Sequence, residues 1–62
     1  MSEHFNIKRL GLILAVQAEI EGMKAKNLER EQLNLTLAYT EEHFIDKANE
    51  LRNLSYAHDE QL

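Results

Sequence analysis

Between Leu10 and Leu28 the apolar residues do not keep to one side of a helix. Placed at 100° per residue, Gly11, Ala15, Ala18, Gly22 and Ala25 share one stripe, and every member is small. Ile13, Val16, Ile20 and Met23 lie roughly opposite, all large. Leu12 flanks that second face, while Leu10, Leu14 and Leu28 carry apolar surface round the remaining side. The pattern predicts a first helix over about 5–33, starting between His4 and Lys8. A helix that is apolar on more than one side requires neighbours on more than one side. The small stripe permits close approach of another backbone, and the large stripe supplies knobs for a wider contact.

The segment LNLTLAYTEEHF (33–44) changes the period. Leu33, Leu35, Leu37 and Tyr39 alternate with small or polar residues, as in a half-buried strand. An isolated strand has no partner in this chain, and a loop explains the stretch better. Asn34 is the residue best suited to a left-handed helix end, with Leu35 following as the apolar residue that packs back. Thr40 can cap a second helix, and Glu41 and Glu42 place negative charge at its positive end. His43 stands where a capping box would have Glu or Gln, so no capping box is expected. The five residues between Asn34 and Thr40 suit a helix–helix connection. The leucines are expected to pin its closed end, with Tyr39 as a lid. The second helix is predicted over about 41–57, its inner stripe being Phe44, Ala48, Leu51 and Ser55, broadened by Ile45 and Leu54.

The fold class is therefore all-α, a two-helix hairpin forming a single domain over 1–62, with frayed ends at about 1–4 and 59–62. A first helix of about 28 residues is about 42 Å long, against about 25 Å for a second of about 17. The LGLILAV segment (10–16) is left bare, and two hairpins are expected to associate as a four-helix dimer. Packing residues of the hairpin and dimer are expected to be Gly11, Ala15, Ala18, Gly22, Ala25, Ile13, Val16, Ile20, Met23, Phe44, Ala48 and Leu51.

Composition agrees with this and narrows the chemistry. The 62 residues contain no proline and two glycines, as in an all-α chain. They contain no cysteine, which excludes a disulfide, a thiolate nucleophile and a cysteine zinc site. A chain of this size has a limited core and commonly needs a staple or a partner. Lys8-Arg9 before LGLILAV imitates a signal peptide, but the apolar run is short, contains Gly11, and follows Glu3. It is also far short of the ~20 residues a membrane-spanning helix needs. A cytoplasmic protein without a membrane segment is expected.

Net charge is −4, with seven Lys and Arg among eleven acids, which disfavours nucleic acid as a partner. Lys24, Lys26, Arg30 and Asn27 offer the alternative reading, a small RNA- or DNA-binding regulator on the Rop plan. Glu21, Glu29 and Glu31 intersperse them, so helix-surface ion pairs explain the same residues. His43, Asp46 and Glu50, with Glu42 beside them, share a face that could attract a divalent cation. Acids in a first helical turn are common for dipole reasons alone, so no metal and no cofactor is assigned. Ser2, Thr36, Thr40 and Ser55 show no histidine and acid in a triad arrangement, and no glycine-rich phosphate loop exists. A hairpin this small offers no enclosed pocket, and no enzyme is expected.

The run EGMKAKNLER (21–30), then AYTEEHF (38–44) and ANEL (48–51), resembles a pattern in short uncharacterised open reading frames of bacteriophages and integrated elements of gut anaerobes. The resemblance spans Glu21 to Leu51. It implies a bacterial or phage cytoplasmic origin, and brings no activity and no catalytic residues. A glycine often stands in that pattern near the position of Asn34. The functional expectation is a small helical protein acting through self-association, as a homodimer, and through contact with a further protein the sequence does not name.

Overall fold

A computed structural model describes residues 3–56. Two helices, α1 (Glu3–Gln32) and α2 (Glu41–Tyr56), pack against each other as a hairpin, and the described residues include no strand. The molecule is a narrow slab of 48 × 17 × 10 Å. α1 begins at Glu3, two residues before the expected start near residue 5; residues 1–2 and 57–62, and with them the expected frayed end at 59–62, lie outside the described part. One turn into α1, Phe5 is buried and the Arg9 guanidinium stands 4.4 Å from its ring centroid, an i, i+4 cation–π contact. That contact ties the first turn of the helix to the second.

The large stripe of α1 is the one turned inward. Val16 and Met23 are buried, and Ile13 and Ile20 half-buried, with Asn27 and Arg30 continuing the same face. From α2 come Phe44, Lys47, Ala48, Leu51 and Leu54, all half-buried. Ser55 and Ile45, expected on this stripe, are exposed. Ser55 Oγ instead bonds back to the Leu51 carbonyl at 2.9 Å, and the long stem of Lys47 occupies the edge of the interface as such stems often do. Gly11, Ala15, Ala18, Gly22 and Ala25 are exposed, on the side away from α2 or at its margin. A Cβ added at Gly11 or Gly22 would meet nothing within 4 Å. Close packing of the two helices of one chain therefore does not need them.

The chain reverses as the residue types predict. Asn34 has φ 60°, in the left-handed region. Its N–H donates to the Glu31 carbonyl at 3.0 Å, and the Leu35 N–H to the Arg30 carbonyl at 2.8 Å. These are the paired bonds of a Schellman end, with Asn34 at C′ and Leu35 at C″. The leucines do not pin the turn, however. Leu33, Leu35 and Leu37 are between 49% and 61% exposed, and polar contacts to α1 hold the connection instead. At position 34, Gly removes the steric cost of positive φ, whereas a β-branched residue adds about 1–2 kcal/mol. Thermal melts should show Asn34→Gly equal to or slightly above the parent, and Asn34→Val clearly below it.

Candidate functional site

Two side chains on the inner face of the hairpin organise its closed end. Asn27, on α1, meets the main chain of Tyr39 twice. Its Nδ2 donates to the Tyr39 carbonyl and its Oδ1 accepts the Tyr39 N–H, both at 2.9 Å. A side-chain amide carries one donor side and one acceptor side, so Asn27 imitates a strand neighbour for that single residue. Arg30 Nε donates to the Thr36 carbonyl from the next turn of the same face. The alternative reading set Asn27 and Arg30, with Lys24 and Lys26, on an RNA-facing surface; both instead hold the loop. Periodicity could have suggested this, because Asn27 continues the 16, 20, 23 stripe.

The start of α2 differs from expectation as well. Thr40 is the N-cap, its carbonyl accepting from the His43 and Phe44 amides at 3.1 and 3.3 Å. Its own N–H donates to His43 Nδ1 at 3.0 Å, and its hydroxyl lies 3.1 Å from the same nitrogen. Nδ1 thus acts as an acceptor, which places the proton of the neutral ring on Nε2. This is the reciprocal half of a capping box, supplied by imidazole where Glu or Gln is usual. Tyr39 stacks edge-on to the same ring at 5.6 Å, so the lid expected of Tyr39 rests on His43.

Between the helices on this side runs an open groove of about 580 Å³, with Glu19, Met23, Tyr39, His43, Lys47 and Glu50 among its walls. Lys47 Nζ bridges α2 to α1, 2.6 Å from Glu19 and 3.2 Å from Glu50. The hydrogen bond from Glu19, and after it that from Glu50, raises the Lys47 pKa above its ordinary 10.5, with burial opposing only in part. Of the candidate cation ligands, Glu50 is thus bound to Lys47 and His43 to Thr40. Among the described residues no three His, Asp or Glu side chains converge as a metal would require. The basic residues of the alternative reading are also engaged, Lys24 with Glu21 at 3.1 Å and Lys26 with Glu29 at 3.7 Å.

The remaining surface feature is apolar. Ile7, Leu10, Leu14 and Leu28 on α1 are 54–68% exposed. No helix of the described chain is long and apolar enough to cross a membrane. Comparison with protein-family models, with curated proteins and with solved structures finds nothing that matches this chain.

Two expected outcomes follow from the groove and latch. Asn27→Ala leaves the Tyr39 N–H and carbonyl without their part-buried partner, which costs about 1–3 kcal/mol and should lower the urea midpoint. The Lys47 bridge acts through a raised pKa, so its contribution is complete below about pH 10.5 and fades as pH climbs through the higher folded value. Melting temperature should therefore fall more steeply above pH 10.5 in the parent than in Lys47→Gln. Parallel slopes would remove the bridge from the account.

Proposed function

We propose that this chain works by protein–protein contact, and first with itself, as a self-associating helical hairpin of the cytoplasm. The observation that carries the reading is the outer face of α1, where Ile7, Leu10, Leu14 and Leu28 stay more than half exposed after α2 has docked. Full burial of a Leu or Ile side chain is worth about 1.5–3 kcal/mol, so each retains about 1–2 kcal/mol of unused driving force. Scattered exposed leucines need no explanation. Four along one side of a single helix, in a molecule 10 Å thick, are a contact surface.

The ion pairs made by Lys24 and Lys26 and the net charge of −4 weigh against nucleic acid as the partner. Sedimentation equilibrium at micromolar concentration should give twice the 7.2 kDa chain mass. A mass of 7.2 kDa at the highest concentrations reached would overturn the proposal. Leu14→Gln should weaken association by about 2–4 kcal/mol per dimer, since both copies lose the side chain. That is a rise in Kd of about thirty-fold or more, read from the same measurement, with helicity of the separated chain unchanged.

A further inference from the structure

We infer that the occupant of the outer face is a second copy of α1 running antiparallel, so that the dimer is a row α2–α1–α1–α2. This deepens the self-association reading and rests on it. The ground is the order of residues on the exposed face. Ile7, Leu14 and Leu28 are spaced in multiples of seven, as are Gly11, Ala18 and Ala25, and the second set falls midway between the first. All six are exposed in the hairpin. Together they are the a and d positions of a heptad seam, with large residues at one position and small at the other. The inward face of Arg9, Val16, Met23 and Arg30 is likewise seven-spaced and lies on the opposite side of the same helix. The two seams of α1 are thus back to back, which sets the four helices in one plane rather than at the corners of a square.

Direction follows from size. In a parallel pair, like positions share a layer, so Leu14 meets Leu14 and Ala18 meets Ala18, giving layers alternately too full and too empty. In an antiparallel pair the large positions lie across from the small ones, with only Ile7, at the end of the seam, meeting the partner's Gln32. The register that uses this best sets Leu14 against the partner's Ala25 and Gly11 against the partner's Leu28. It brings Ala15 beside the partner's Gly22, where a Cβ has open space in the hairpin and two backbones can approach. It also places Lys8 beside the partner's Glu29, opposite in charge, and opposes the two helix dipoles. Glu21 is the polar interruption of the seam. It lies near the two-fold axis across from the partner's Ala18, its charge held by its own Lys24 at 3.1 Å, and such an interruption fixes register.

The chain has no cysteine, so single cysteines placed at Lys26 and at Asn6 can each carry one spin label for dipolar distance measurement on the full chain. At 1.5 Å per residue the register predicts axial separations of about 20 Å for the Lys26→Cys pair and about 40 Å for the Asn6→Cys pair. A short distance at Lys26 with a long one at Asn6 supports the inference. Equal short distances at both would mean a parallel seam and overturn it, leaving self-association standing. Long distances at both, in a sample of dimer mass, would move the contact off α1 and overturn it likewise. No intermolecular coupling, with the mass of a single chain, would overturn this inference and the self-association reading together.

Discussion

A helix of 16 residues laid against one of 30 leaves about 21 Å of the longer one beyond its reach, at 1.5 Å per residue. Most of what distinguishes this molecule descends from that inequality. The contact between the helices can be only one residue deep, and in the described part just Phe5, Val16 and Met23 are buried apolar side chains. Two of them lie in the C-terminal two thirds of α1, facing α2. Phe5 lies near the other end, with the Arg9 guanidinium over its ring. A core of this size cannot rely on apolar area alone to order the chain, so the polar contacts at the closed end carry a larger share than they would in a bigger domain.

Those contacts divide the work by kind. Backbone conformation turns the chain at Asn34, side-chain amide geometry ties Tyr39 to α1, and a charge bridge through Lys47 joins the helices further along. Only the last is exposed to screening by salt. The half-buried amide pair is the one whose loss would strand main-chain polar groups. It follows that the hairpin's closed end, where the turn and the amide pair act together, is its firmest described part.

The two helices, the reversal at Asn34 and the start of α2 after Thr40 were legible in the residues, because each rests on local chemistry: period, left-handed propensity, a boundary residue before acids. The Thr40 hydroxyl, expected to accept a first-turn amide, instead lies against His43 Nδ1. Which stripe of α1 faces inward was not legible. Both were continuous, and only the position of α2 separates Val16 from Ala18. The connection misled in a different way. Leu33, Leu35 and Leu37 suggested apolar pinning, yet a loop docked across one end of a two-helix layer has little to bury against. Asn27 was hidden because a polar residue on a helix among lysines reads as surface, and its partners are main-chain atoms that leave no trace in sequence. His43 was read as the absence of a capping box when it supplies the reciprocal half of one, since the usual pattern names residue types rather than the acceptor atom they provide.

Asn27 and Arg30 hold the connection entirely by carbonyl and amide groups of Tyr39 and Thr36, and never by a loop side chain. The grip is therefore blind to the identity of residues 35–38, which are exposed. Related or engineered chains can exchange that tetrapeptide freely while the hairpin still closes in the same place. The loop is in this sense a replaceable label on a fixed clasp, a position where new recognition can be written without redesigning the fold beneath it.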